Sequence, residues 1–420
     1  MRYFKYSGVE WIGQIPMKWE LEKVKYHFSN IKKIAGIHSE KYERLALTMK
    51  GVVKRAKDDA DGLQPSDFNT YQILCKNDLV FKLIDLQNIS TSRVGLSPYN
   101  GLVSPAYIRL VRTGDLSPEY AEYFFLMMWK NEVFNHLGDC GVRSSLNASD
   151  LLNLPICVPP ISEQDTIVNF LDEKCEQIDS LTADIQLQID TLEEYKKSVI
   201  TEAVTKGLNP DVEMKDSGIK LVGSIPNHWM VLKTGYLFRE NVRSANSDDI
   251  PLSLSQVDGL ISTDEMKERS LKTSSYDGWK HVIKEDLVLN RFKAHLGVMF
   301  AATLEGMVSF HYGVYEKRRP LITKYYEYLF HTNAYKTIYA GLSNGMTVGL
   351  QNLSNQNFYS TKSLYPPVEE QQEIVDYLDA KCSEIDAIIS EKKEQLSTLA
   401  EYKKSLIYEY VTGKKEVAAA

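Results

Sequence analysis

The chain has 420 residues, 43% hydrophobic and 25% charged, an ordinary composition for a globular protein of two or three domains. No apolar run approaches the about 18 residues of a membrane span, and the start, MRYFKYSGVEW, lacks the apolar stretch of a secretion signal. Five scattered cysteines (Cys75, Cys140, Cys157, Cys175 and Cys382) contain no C-x-x-C pair, which argues against a disulfide frame or zinc site and for reduced thiols in the cytoplasm.

The net charge is -7, which looks wrong for a nucleic-acid binder until its distribution is read. Residues 161–206 hold eleven acids against four lysines, and residues 368–412 hold eleven against five, so the remainder of the chain is mildly basic. Acidity is confined to two segments, and the rest permits a phosphate-facing surface.

In chain order the sequence runs through one plan twice. SGVEWIGQIPMKW, from Ser7 to Trp19, returns as SGIKLVGSIPNHW, from Ser217 to Trp229. PPISEQDTIVNFLDEKCEQID, from Pro159, returns as PPVEEQQEIVDYLDAKCSEID, from Pro366, and the match continues through EYKKS to the end of each cassette. Between these repeats the chain barely aligns with itself; KNDLVF (from Lys76) with KEDLVL (from Lys284), and GLVS (from Gly101) with GMVS (from Gly306), are the fragments that pair. The boundaries expected are a first variable domain at 1–158, a repeated helix at 159–207, a linker at 208–216, a second variable domain at 217–365, a second repeated helix at 366–413 and a tail at 414–420.

Each variable domain reads as mixed α/β. Short β-like runs such as DLVFKLI and PAYIRLV precede one aromatic-rich helix, SPEYAEYFFLMMWKNEVFNHL or LITKYYEYLFHTNAYKTIYAGL. An aromatic stripe at helical spacing points to core rather than to a stacking platform. The two cassettes follow Pro-Pro stops and lack Pro and Gly until Gly207 and Gly413. Their apolar residues fall on heptads: Val168, Leu171, Cys175, Ile178, Ile185, Ile189, Leu192 and Val199, then Val375, Leu378, Cys382, Ile385, Ile389, Leu396, Leu399 and Leu406. Thr182, Lys392 and Lys403 interrupt them. The stripes suit a two-helix coiled coil, about 65 Å long at about 1.5 Å per residue. Connectivity makes it antiparallel, since a domain with a radius of gyration of about 15 Å cannot bridge the rod from end to end. The expected fold is two mixed α/β (α+β) domains separated by a long antiparallel two-helix coiled coil, with pseudo-twofold symmetry.

Catalytic signatures are missing: no P-loop, no G-x-G-x-x-G, no H-E-x-x-H, no G-x-S-x-G and no Asn/Asp-Pro-Pro-aromatic run. NPDVEMK, from Asn209 to Lys215, has the acids of a PD…ExK nuclease only two positions apart and reads as an exposed linker. The histidines show no ligand spacing, so no metal site and no catalysis by this chain alone are expected.

The paired SG…G.IP..W openings, PP…EQ..I…LD.K…ID helix entries and EYKKS.I helix bodies, recurring in matching order over essentially the whole chain, resemble the specificity subunits of type I restriction–modification systems. LALTMKGVVKRAKDD and DLVFKLIDLQNISTSRVGL resemble segments of their target recognition domains. The resemblance implies a non-catalytic, sequence-specific DNA-binding subunit. Each domain would read one half of an asymmetric bipartite site in double-stranded DNA, and the helices would set the spacer. It implies two methyltransferase (M) subunits carrying S-adenosylmethionine, restriction (R) subunits carrying ATP and Mg where present, and no cofactor in this chain. The competing reading is a coiled-coil scaffold with two ligand-binding domains and no DNA role. A fused endonuclease–methyltransferase is disfavoured by the missing motifs.

Base and phosphate contacts need cations, amides and hydroxyls on exposed loops. In the first domain the candidates are Lys50, Lys54, Arg55 and Lys57, then Lys82, Gln87, Asn88, Thr91 and Arg93, then Arg143 and Ser144. In the second they are Arg243, Asn290, Arg291, Lys293, Gln351 and Asn352. Any one of these residues reads more readily as plain surface than as a base contact; replacing Arg93 or Arg291 with Ala would weaken specific binding by about 1–3 kcal/mol if it reads a base.

Overall fold

The computed structural model describes residues 2–59, 67–84, 86, 91–137, 145–266, 276–343 and 352–417. The chain divides into two compact units, residues 1–186 with 394–420, and residues 187–393. Each unit holds one variable domain and one half of each of two long helices, Ile161–Lys206 and Val368–Val411.

Within each unit the two helix halves run antiparallel. In the first, Lys403 Nζ meets the Asp179 carboxylate at 2.6 Å. In the second, Lys196 meets Asp386 at 2.6 Å, and Lys392 donates to Gln188. Lys392 and Lys403, which interrupt the heptad, thus bond across to the facing helix, and Thr182 bonds back to the Ile178 carbonyl. The stripe is buried at Leu171, Cys175, Ile178, Ile185, Ile189, Leu378, Cys382, Ile385 and Ile389, and partly buried at Leu192, Leu396 and Leu399. Burial pushes the Cys175 and Cys382 thiols up, and that of Cys157 to about 12, against the thiolate form.

The repeated residues build the joint between domain and helices. Each opening motif is a hairpin, Phe4–Tyr6 with Gln14–Pro16 and Met214–Asp216 with Ser224–Pro226. It delivers a fully buried tryptophan, Trp19 or Trp229, whose indole N–H donates to Glu163 (2.8 Å) or Glu370 (2.9 Å). The next residue, Gln164 or Gln371, donates to the Pro159 or Pro366 carbonyl and accepts the backbone N–H of Ser117 or Ile322. Tyr120 then donates to the Val411 carbonyl at 2.7 Å, and Tyr325 to the Val204 carbonyl at 2.8 Å. So each domain grips the start of one long helix and the end of the other. Gly413, in left-handed conformation (φ 69°), ends its helix against Trp19 and Pro16, where a Cβ would come within 2.6 Å of the Pro16 ring.

Each domain packs an antiparallel four-stranded sheet against its aromatic helix. The first sheet runs Phe28–Asn30, Ile108–Arg112, Leu79–Phe81, Val94–Leu96; the second runs Phe238–Glu240, Tyr312–Lys317, Leu287–Asn290, Met299–Ala301. KNDLVF and KEDLVL enter the same strand through the same turn, with Asn77 and Glu285 left-handed at φ 67° and 69°. The following carboxylate, Asp78 or Asp286, accepts the backbone N–H of Cys75 or Ile283. GLVS and GMVS form strands Gly101–Val103 and Gly306–Val308, each paired with the strand that leads into that turn.

The aromatic stripes are core, as expected: Tyr120, Phe124, Phe125, Tyr325, Tyr326 and Phe330 are fully buried. Each expected single helix is two. Pro118–Lys130 and Val133–Leu137 break where Glu132 turns left-handed, and Thr323–His331 and Asn333–Leu342 break at extended Thr332. NPDVEMK is an exposed turn leading into the second hairpin, with Asp211 and Glu213 both exposed.

Candidate nucleic-acid interface

The parts that do not repeat in sequence still converge, in each domain, on one corner of the sheet. Three segments meet there. The first is the exit of the central strand, Lys82–Ile84 or Asn290–Phe292. The second is the turn Ser104–Tyr107 or Ser309–Tyr312. The third is Ser145–Leu146 or Asn352–Leu353, whose Leu146 and Leu353 amides donate to the carbonyls of Leu83 and Arg291. The turn is the same object twice. Ala106 and His311 donate backbone N–H to the Ser104 and Ser309 hydroxyls, and Tyr107 and Tyr312 donate to the carbonyls of those serines.

Different side chains hold that turn from beneath. In the first domain buried Gln72, paired in the ladder with Val103, donates to the carbonyls of Ser104 (3.1 Å) and Tyr107 (2.6 Å). In the second, Lys280, paired with Val308, donates to the Tyr312 carbonyl at 2.9 Å. Its ammonium also meets Glu240 at 2.8 Å, and Glu240 takes Arg291 at 2.6 Å and the Asn355 amide. Burial pushes the Glu240 carboxyl up, but the Lys280 hydrogen bond and the Arg291 charge outweigh it and hold it below the usual carboxylate range.

The corner gathers Lys82, Thr91, Arg93, Asn290, Arg291, Lys293 and Asn352. Lys82 Nζ donates to the Thr91 hydroxyl at 3.2 Å, Asn290 accepts the amides of Phe292 and Lys293, and Lys293 and Asn352 are exposed. A second group lies on the hairpin Arg44–Thr48 and Gly51–Arg55. There Lys50 is exposed at the turn, Lys54 pairs with Glu43 and covers the Tyr99 ring, Arg55 pairs with Asp59, and Lys57 donates to the Ser39 carbonyl. An open cleft of about 540 Å³ lies beside Arg44, Lys54, Arg55 and Lys57, with Glu40 and Glu43 on its rim. Gln87, Asn88, Arg143, Ser144 and Gln351 lie outside the described residues.

Three arginines stand elsewhere than an exposed reading position. Arg93 is 0% exposed and donates to the carbonyls of Lys82 and Ile84, so its guanidinium braces the corner from inside. Arg291 is spent on Glu240 and Asn355. Arg243 pairs with the buried carboxylate of Asp286, which burial pushes up. Sequence shows an arginine in a loop but not whether an acceptor inside the fold claims it. Side chains that were not singled out occupy the surface instead: Phe292, Phe310 and His311 in the second domain, Ile84, Pro105 and Ala106 in the first. Reading GLVS and GMVS three residues further, to Tyr107 and Tyr312, exposes the shared V-S-x-x-Y frame that holds four of these six.

Among the described residues no helix is long and apolar enough to cross a membrane, and no group of His, Cys, Asp and Glu is placed to hold a metal.

A family model described as the type I restriction modification DNA specificity domain matches residues 37–191 and 261–398. The putative type I restriction enzyme MjaX specificity subunit of Methanocaldococcus jannaschii is 26% identical over 246 residues, 53% of this chain and 53% of that protein. The chain therefore spans about half the length of this curated relative. A solved chain from the type I R-M system, studied for complex assembly and conformational transition, has the same fold. Its TM-score is 0.67 at 13% identity, over 96% of this chain and 99% of that one. The HsdS subunit of Thermoanaerobacter tengcongensis, also 13% identical, gives 0.49 over 96% and 98%. With most of its length matched by the family model, the chain belongs to the type I restriction–modification DNA specificity family.

Proposed function

We propose that this chain is the DNA-reading, non-catalytic specificity subunit of a type I restriction–modification complex. Each domain reads one half of an asymmetric bipartite site in double-stranded DNA, and the paired helices set the number of base pairs between the halves. The observation that carries the reading is one duplicated frame bearing two unlike corners. A joint with the same bonds in both units supports the same partner docking twice. Corners with different side chains suit two different half-sites, as a non-palindromic target requires. The docked partner is a methyltransferase subunit, in two copies, that binds S-adenosylmethionine and methylates adenine in each half. Restriction subunits add ATP- and Mg-dependent translocation and cleavage where they are present. The acidic helices serve protein contacts, and the mildly basic domains face the phosphates.

The test is co-purification with a neighbouring methyltransferase, followed by mapping of methylated adenines. A single bipartite motif with unlike halves is expected, together with duplex binding that weakens linearly with log salt and no methylation by the chain alone. Unmethylated DNA and salt-insensitive binding would leave a coiled-coil scaffold without a DNA role.

A further inference from the structure

We propose that the V-S-x-x-Y turn is the base-contacting element of each domain, and that its two central residues set specificity: Pro105 and Ala106 in the first, Phe310 and His311 in the second. This rests on the DNA-reading proposal and adds to it the residues that touch bases and the base feature they recognise.

The frame and the tip behave oppositely. The frame is the same in both domains, with a serine hydroxyl accepting the third residue's amide, a serine carbonyl accepting the tyrosine's amide, and a donor side chain beneath. That donor stays in place although its chemistry differs, Gln72 in one domain and Lys280 in the other. A turn held this firmly from inside is preorganised, so little conformational entropy is lost when it meets a ligand. The two tip residues are exposed in both domains and differ in size and in polarity, Pro-Ala in one and Phe-His in the other.

The second tip has a surface unlike a solvated loop. Phe310 is 53% exposed, and its ring lies 4.0 Å from that of His311, centroid to centroid. His311 in turn lies 5.8 Å from Phe292, which is 40% exposed. Single exposed apolar side chains need no explanation, but three adjoining rings, two on a braced turn and one on the strand exit beside it, do. Lys293 beside them is exposed, so the rings stand next to a cation free to meet a phosphate. Phenyl rings beside a cation suit the floor of the major groove, where the C5-methyl of thymine is the apolar feature that distinguishes one base pair from the others. His311 offers a ring nitrogen to a neighbouring base edge. Pro105 and Ala106, with Ile84 exposed beside them, form a smaller apolar tip that makes a shallower contact. The commitment is that the half-site read by the second domain contains a thymine whose methyl group packs on Phe310.

The experiment uses the complex of the full chain with its methyltransferase and duplexes in which each thymine of the site is replaced in turn by uracil, which removes only the methyl group. With the natural chain, one such replacement in the second domain's half-site should weaken binding about fourfold, as expected for one buried methyl group. The same replacement should leave Phe310→Ala unaffected, and that variant should be weaker on the thymine duplex. Phe310→Pro with His311→Ala, which transplants the first domain's tip, should alter the methylated motif in one half only. Thermal melts check folding, and His311→Ala and Phe292→Ala, each confined to an exposed side chain, provide the same readouts if Phe310→Ala melts early. If the natural complex shows no site-specific binding, the DNA-reading proposal and this one fall together. If it binds its site but no uracil position discriminates, or the transplanted tip leaves the motif unchanged, this proposal alone is overturned.

Discussion

The two domains differ most where their arginines stand. Each buries an aspartate at the mouth of the central strand, Asp78 or Asp286, at the same turn. In the first domain its partner is Arg109, from the neighbouring strand Ile108–Arg112, at 2.6 Å with both side chains 6% exposed. In the second domain it is Arg243, which follows strand Phe238–Glu240 and is 29% exposed. The corner brace has moved as well. Arg93 supplies it in one domain, while in the other Arg291 does so from the strand exit and Val298 is buried before the edge strand. The carboxylate and the backbone geometry are retained, and the cation comes from whichever strand can reach. A frame that tolerates such exchange can carry unlike surfaces, as the proposed pair of unlike readers requires.

The largest contrast is expected at these pairs. Arg109→Met strands a buried carboxylate and should destabilise the first unit by about 3–5 kcal/mol. Arg243 itself is 29% exposed, so in Arg243→Met water can take the place of its guanidinium over the buried Asp286, and the cost in the second should be about 1–2 kcal/mol. Hydrogen exchange resolved by unit measures both, and Asp78→Asn should recover much of the Arg109→Met loss. Equal losses would break the contrast.

A smaller difference depends on pH. Counting from Tyr120 and Tyr325, His331 stands where the first domain has Leu126. Burial pulls the His331 imidazole down to about 4, against the Met299 carbonyl that it faces. Unfolded chain takes up this proton near pH 6.5, and folded chain only near 4. Stability is therefore complete above pH 6.5 and falls by about 3 kcal/mol as the pH drops to 4. The drop should appear in the second unit and vanish in His331→Leu. Glu122, which burial raises to about 6, and Glu327, also raised, act with the opposite sign in both units and do not distinguish them.

The smallest difference between the units tests sameness. Tyr120→Phe and Tyr325→Phe each leave one buried helix-end carbonyl without its donor. Each should cost its own unit about 1–3 kcal/mol, and the two losses should match. Unequal losses would mean the joint is not one design used twice.

These contrasts also explain what could be read in advance. The residues of the joint were legible as repeats, Trp19 and Glu163 in one copy and Trp229 and Glu370 in the other, but the bonds between them were not, because each spans more than 140 positions. The heptads were legible from their period, including the lysines at 392 and 403 that interrupt them. The corner was not, because its frame uses backbone amides and donors of different chemistry, Gln72 and Lys280, which leave no shared pattern. Cation density marked the strand exits that form the corner, but charge alone cannot distinguish Arg93, turned inward to two carbonyls, from Lys293, turned to solvent. Exposed rings at Phe292 and Phe310 carry no signal in composition.

The proposed function depends most on the paired helices setting the separation of two unlike readers. Inserting one heptad into each helix at facing positions lengthens the spacer by about 10 Å, or about 3 base pairs. Mapping methylated adenines with the lengthened chain should return both half-sites unchanged and about 3 base pairs further apart; recovery of the original gap would contradict the account.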